Sequence, residues 1–287
     1  MISTHTKILC VIGYPVEHSM SPLMHNAAIR DLNLDFIYLA FNISPKYLNL
    51  AVKGFKTFNF VGINITMPFK QNIMNYLDEV ESLAQKIGAV NTIKNENGYL
   101  IGMNTDGEGA IKALKDSGYS LSGKNVLVLG AGGAARAIVY MMAKSVNKIV
   151  ISNRTQENSV KIANEIRNYF DVNIKGKSNS YQVLKSEVKK ADIIINTTPI
   201  GSYPNIEQTP IPSELLHKDL FIYDIVYNPI KTRLMKESLK IGCKVLGGLD
   251  MLVNQGALAF KWWTGLDPNK DLMKTQIIKY LGEDHAR

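Results

Sequence analysis

From Val126 the chain reads VLVLGAGGAAR, an apolar run that breaks into Gly130, Ala131, Gly132, Gly133, Ala134, Ala135 and Arg136. This is G-x-G-x-x-A between a strand and a helix. Gly130 permits a tight turn, Gly132 lets the backbone approach a pyrophosphate, and Ala135 allows the helix to pack closely on the strand. The helix N-terminus adds N–H donors and a dipole that favours phosphate. The chemistry implied is dinucleotide binding, and the strand before the turn and the helix after it separate the motif from an ordinary glycine turn. The next strand ends in Ser152-Asn153-Arg154-Thr155, about twenty residues on, where an NAD site carries an acid for the ribose 2′-hydroxyl. No acid is present. An arginine can stack on adenine and pair with a 2′-phosphate, and Asn153 and Thr155 offer hydrogen bonds to the same group, so the cofactor expected is NADP.

A second set of polar side chains lies upstream. In Gly62-Ile-Asn64-Ile-Thr66-Met-Pro-Phe-Lys70, the strand period of two puts Asn64 and Thr66 on one face, aimed at a common site, with Lys70 in the turn that follows. Gly88-Ala-Val-Asn91-Thr92 and Asn104-Thr105-Asp106-Gly107 flank a hairpin, and His18-Ser19-Met20-Ser21-Pro22 precedes a helix. Taken singly these have plain readings: Asp106 as a helix cap, Lys70 as a solvated cation, Ser21-Pro22 as cap and first-turn residue.

The elements that must position these groups alternate between strand and helix, which is α/β architecture. Strand-like runs are Ile8 to Gly13, Phe36 to Ile43 and Val61 to Thr66, with helical spacing at Ser21 to Leu32 and Lys46 to Thr57. Val90 to Lys94 and Tyr99 to Met103 read as a hairpin. A helix from Asp106 to Ser117 leads into a second series of strands, Asn125 to Leu129, Lys148 to Ser152, Ala191 to Asn196, Leu220 to Ile225 and Lys244 to Leu246, expected to form a doubly wound Rossmann-type domain. The final helical segments, Met251 to Trp263 and Asp271 to Leu281, are expected to return to the first domain. The domains expected are therefore residues 1–105 with 247–287, and 106–246.

Composition narrows the classes. The chain has 287 residues, 46% hydrophobic and 20% charged, enough for a substantial core, and no run approaches the roughly 18 apolar residues of a membrane span. Met1 to Lys7 lacks a signal-peptide pattern, so a cytoplasmic location is expected. Cys10 and Cys243 sit in apolar runs and read as reduced buried thiols, and no metal-ligand spacing occurs. The net charge of +8 suits a small polyanionic ligand drawn in by the long-range field. Lysines are scattered, densest at Lys185, Lys189 and Lys190 on the exposed face of one helix, and no nucleic-acid signature accompanies them. Neither nucleic acid nor membrane is an expected partner, and a homodimer remains open.

The segments quoted above resemble the shikimate dehydrogenase family along nearly the whole chain, together with Asn196 to Gly201, Asp224 to Pro229 and Gly248 to Gln255. The order and spacing of the set are specific. The resemblance implies an N-terminal substrate-binding domain beside the NADP-binding domain, and NADPH-dependent reduction of 3-dehydroshikimate to shikimate. It implies Lys70 and Asp106 as the catalytic pair, with Ser19, Ser21, Asn64, Thr66, Asn91, Asp106, Tyr227 and Gln255 around the substrate. It also implies cofactor contacts from Gly130, Ala131, Gly132, Gly133, Ala134, Asn153, Arg154, Thr155, Asn158, Thr197 and Gly248. Many NADP-using relatives carry a second base where this chain has Asn158, so a weaker NADP preference is expected. The rival readings are a quinate/shikimate dehydrogenase, against which Ser19-x-Ser21 argues, a folate-linked dehydrogenase of similar layout, and a metabolite-sensing regulator, for which retention of Lys70 and Asp106 has no evident reason.

Overall fold

The structure is a computed structural model that describes residues 2–283. The chain divides into two compact units, Met1–Asp106 with Val253–Arg287, and Gly107–Leu252.

The first unit is built on a six-stranded sheet whose elements follow in chain order: β1 (Lys7–Gly13), α1 (Ser21–Asp31), β2 (Phe36–Asn42), α2 (Leu48–Thr57), β3 (Gly62–Ile65), β4 (Glu79–Val80), α3 (Ser82–Ile87), β5 (Thr92–Glu96) and β6 (Tyr99–Met103). The strand order is β2-β1-β3-β5-β6-β4. β1 pairs in parallel with β2 and β3, whereas β5 runs antiparallel to both β3 and β6. The switch has a local cause. Asn97 at φ 54° and Gly98 at φ 92° make the left-handed turn that returns β5 as β6. Alternation along β1 sends Cys10 and Ile12 into a cluster with Val52 and Phe55 of α2 and Ile63 and Ile65 of β3, so Leu9 and Val11 face the opposite side.

The second unit is entered by α4 (Asp106–Asp116) and contains β7 (Asn125–Leu129), α5 (Gly133–Met142), β8 (Lys148–Asn153), α6 (Gln156–Arg167), β9 (Asn173–Ser178), α7 (Tyr181–Val188), β10 (Ile193–Asn196), β11 (Phe221–Asp224), α8 (Arg233–Ile241) and β12 (Lys244–Gly247). The strand order β12-β11-β10-β7-β8-β9 is all parallel, the doubly wound arrangement. Both faces are apolar, as a sheet covered by helices on each side requires. Val126 and Val128 join one cluster with Ile138 of α5 and Ile162 of α6, while Leu127 and Leu129 join another with Leu184 of α7 and Leu234 of α8.

The chain leaves this unit through α9 (Leu249–Thr264) and ends in α10 (Lys270–Glu283). The boundary between units falls between Leu252 and Val253, within α9, rather than between residues 246 and 247 as expected, and Asp106 belongs to the first unit. In the first unit, Trp263 of α9 donates its indole N–H to the Ile93 carbonyl at 2.9 Å and lies flat over Gly62, where a Cβ would overlap the indole ring. Trp263 and Met142 are buried, and Cys10 and Cys243 are free buried thiols.

Candidate active site

In the first unit, the turn after β3 carries Lys70 to the start of α4. Lys70 Nζ donates to Asp106 Oδ2 at 2.6 Å, with only 19% and 6% of the two side chains exposed. A charge pair this buried needs further partners to offset lost hydration. The other carboxylate oxygen has one: Asn91 Nδ2 donates to Asp106 Oδ1 at 2.9 Å, and also reaches Thr105 Oγ1 at 2.8 Å and Gln255 Oε1 at 3.3 Å. Asp106 is thus an ion-pair partner at the first residue of α4, and its backbone N–H is met by Asn104 Oδ1 at 3.1 Å.

The Asn91 amide is held in one orientation. Its Oδ1 accepts from the Thr105 backbone N–H at 2.8 Å, a group that can only donate, while its Nδ2 faces a carboxylate that can only accept. Asn64 is likewise fixed. Its Nδ2 donates to the Asn91 carbonyl at 3.2 Å and to Thr92 Oγ1 at 3.1 Å, and its Oδ1 accepts from the Tyr38 hydroxyl at 2.6 Å. Burial of Tyr38 pushes its phenol well above the usual range and so keeps it a donor.

Lys70, Asp106, Asn91, Gln255 and Asn64 therefore form one hydrogen-bonded group. Ser19 and Ser21 sit together where β1 turns into α1. The Ser19 hydroxyl oxygen accepts from the Ser21 N–H at 3.3 Å, which leaves its proton to donate elsewhere. Ser21 is the first residue of α1 and not its cap. The cap position belongs to Met20, and the chain turns on the Ser19 hydroxyl instead. Thr66 follows β3 directly, its carbonyl accepting from the Phe69 N–H at 3.0 Å. Tyr227, half-buried, lies in the second unit in the loop after β11.

In the second unit, Gly130 adopts φ +105° as β7 ends, a left-handed conformation that side chains resist, and a Cβ there would crowd Thr197 Oγ1. Gly132 is the N-cap of α5, and in front of it lies open space, with no atom within 4 Å of where a Cβ would stand. The first turn of α5 thus presents unblocked N–H groups. At the adjacent strand end, Asn153 Nδ2 donates to the Thr155 carbonyl at 2.8 Å and tightens the turn around Arg154. Arg154 is exposed and forms no ion pair with any described residue. Thr155 is the N-cap of α6, yet its hydroxyl caps nothing. Asn158 is exposed in the first turn of α6. Thr197 donates to the Leu129 carbonyl at 2.7 Å, and Gly248 joins β12 to α9 with its N–H on the Val226 carbonyl at 3.2 Å.

Three groups escape a reading of the sequence. Tyr38, Thr92 and Thr105 are buried hydroxyls inside the first-unit network. The signal was present, since a hydroxyl within a strand must find a partner once buried, but burial itself has to be known first. In the second unit, Asn196 donates to Asp224 Oδ1 at 2.8 Å and accepts from Thr198, which shapes the Thr197 to Gly201 loop. Desolvation raises the Asp224 carboxyl above its usual range, against the opposing bonds from Thr232, Val226 and Asn196.

Residues 11–93 match the model of the shikimate dehydrogenase substrate binding domain, 108–229 that of shikimate / quinate 5-dehydrogenase, and 248–278 that of the shikimate 5′-dehydrogenase C-terminal domain. The shikimate dehydrogenase (NADP+) of Methanocaldococcus jannaschii is 47% identical over 279 residues, covering 97% of this chain and 98% of the relative. A shikimate dehydrogenase crystallised with NADP+ superposes with a TM-score of 0.92 at 45% identity, covering 98% of each chain. The shikimate 5-dehydrogenase of Listeria monocytogenes, solved with shikimate and NAD, gives 0.86 at 38% identity, covering 96% of this chain and 97% of that one. With three family models matched in order along the chain and a relative 47% identical over 97% of it, the chain belongs to the shikimate dehydrogenase family.

Proposed function

We propose that the protein is an NADP-dependent shikimate dehydrogenase, reducing 3-dehydroshikimate to shikimate reversibly, a step in aromatic amino-acid biosynthesis. The observation that carries this reading is the Lys70–Asp106 pair at 2.6 Å, largely shielded from solvent and hydrogen-bonded through Asn91 to Gln255.

The second unit's residues fit the cofactor. The open space before Gly132 and the first turn of α5 suit a pyrophosphate, and the exposed Arg154, with no ion pair among the described residues, suits a 2′-phosphate. The remaining cofactor contacts proposed are Ala131, Gly133, Ala134, Asn153, Thr155, Asn158, Thr197 and Gly248. The chemistry contributed by bound NADP is hydride transfer to and from the ring carbon that carries the reacting oxygen.

The chain's own residues bind, orient and move the proton. Ser19 and Ser21 are assigned to the substrate carboxylate, since the Ser19 proton is free to donate. Asn64, Thr66, Asn91, Gln255 and Tyr227 are assigned to the ring hydroxyls, where amides meet both donors and acceptors. Lys70 neutralises the oxygen as negative charge develops on it and supplies its proton; in the oxidative direction the same amine receives it. Asp106, aimed by Asn91, holds the ammonium in place.

Replacing Lys70 by Ala is expected to lower turnover by about 10³-fold and to leave NADP affinity, measured by fluorescence titration, unchanged. Near-normal turnover would remove Lys70 from the mechanism.

A further inference from the structure

The hydrogen bonds that lead to Asp106 have a direction, and the atoms at the two ends fix it. At the far end, the Asn64 Nδ2 bond to the Asn91 main-chain carbonyl at 3.2 Å identifies that atom as nitrogen, so Asn64 Oδ1 must accept and Tyr38 must donate at 2.6 Å. At the near end, the Thr105 N–H on Asn91 Oδ1 at 2.8 Å leaves Asn91 Nδ2 to donate to the carboxylate. Between them stands Thr92 on β5, with no exposed surface. Its Oγ1 accepts from Asn64 at 3.1 Å and lies 3.1 Å from Asn91 Oδ1 and 3.3 Å from Thr105 Oγ1. With its oxygen already accepting, the single Thr92 proton is left to donate, and Asn91 Oδ1 at 3.1 Å is the nearer acceptor.

We propose that Thr92 is a positioning residue, the middle link of a one-way chain of hydrogen bonds donated from Tyr38 through Asn64, Thr92 and Asn91 to the Asp106 carboxylate, which it holds ready for Lys70. This rests on the activity read above. Each bond in such a chain polarises the next in a low-dielectric interior, so the last donor, Asn91 Nδ2, is strengthened by those behind it. Thr92 itself acts only through Asn91. Valine at this position would keep the shape and β-branching but carry no proton, leaving Asn64 Nδ2 and Asn91 Oδ1 each short of one partner.

The test compares wild type, Thr92→Val and Thr92→Ser. The chain predicts that Thr92→Val lowers kcat/KM for shikimate about tenfold, moves the acidic limb of the kcat/KM profile toward higher pH, and leaves NADP affinity unchanged, whereas Thr92→Ser keeps the wild-type profile. Nitrogen-15 NMR of the Asn91 side-chain amide, identified by its loss in Asn91→Asp, reads the chain without turnover: exchange with solvent should be slow in wild type and Thr92→Ser and fast in Thr92→Val. A wild-type acidic limb with slow amide exchange in Thr92→Val, or a displaced limb in Thr92→Ser, overturns the proposal. Should Thr92→Val fail to fold, Thr92→Ala stands in its place under the same criteria. A wild type that does not oxidise shikimate would remove the activity reading alone, with amide exchange still deciding the chain.

Discussion

His25 offers a test of the first unit that does not depend on catalysis. Its ring is fully buried on α1, stacked on Tyr38 with centroids 4.3 Å apart and planes 7° from parallel, and tilted against Trp263 at 5.6 Å. Neither ring nitrogen has a hydrogen-bond partner among the described residues. Desolvation lowers its pKa from 6.5 to about 3, so the folded state keeps the imidazole neutral where the unfolded chain protonates it. Because the unfolded state then binds more protons, stability falls as pH drops below about 6.5 and goes on falling toward about pH 3. At 1.36 kcal/mol per unit of difference, the loss between pH 7 and pH 5 is about 2 kcal/mol. Replacing His25 by Phe keeps an aromatic ring in the stack and removes the titration. Both tryptophans, Trp262 and Trp263, lie in the first unit's part of α9, so tryptophan emission during urea unfolding reports this unit. Wild type should lose about 2 kcal/mol more than His25→Phe between pH 7 and pH 5, whatever the variant's own cost at neutral pH. Equal pH dependence in the two proteins would refute the assignment of His25 as a neutral buried ring.

Two further outcomes follow from the geometry. Gly62→Ala places a methyl group into the Trp263 indole and should destabilise the first unit by about 1–3 kcal/mol; urea unfolding with an unchanged midpoint would show that α9 does not pack as described. Arg154→Ala should raise the KM for NADP by about 10–100-fold while leaving the KM for NAD nearly unaltered, because the exposed guanidinium makes no ion pair with any described residue whose loss would disturb the fold. Equal effects on both cofactors would mean that Arg154 does not read the 2′-position. The same steady-state comparison in wild type measures how far Asn158, in place of a base, weakens the preference for NADP.

The second unit was largely legible because its central strands are buried on both faces. Val126 to Leu129 and Ile193 to Ile195 are continuous apolar runs, the first ending in a glycine turn and the second in the polar Asn196-Thr197-Thr198, and that pattern has few other solutions. β9 was not legible. Asn173–Ser178 reads NIKGKS, an edge strand whose second face meets water, and its polarity resembles a loop. β4, only Glu79–Val80, is too short to carry any period. In the first unit, Asn64, Thr66 and Lys70 could be drawn toward one site from the strand period and the turn. The pairing of Lys70 with Asp106 could not be read from the residues singly, since the contact spans 36 positions and depends on how β3, β5 and the start of α4 are stacked. Resemblance supplied that pairing as an expectation. The roles of Tyr38 and Thr92 needed the third dimension, because a tyrosine in FIYLAFN and a threonine opening β5 look like ordinary strand formers until their hydroxyls are found buried.

The most direct measurement is a steady-state panel of shikimate and quinate against NADP and NAD, followed by the absorbance of the reduced nicotinamide, with wild type and Lys70→Ala side by side. The account predicts the highest kcat/KM for shikimate with NADP, a lower value with NAD, little turnover of quinate, and near-complete loss in Lys70→Ala. Absence of shikimate oxidation, or a clear preference for quinate, would contradict it.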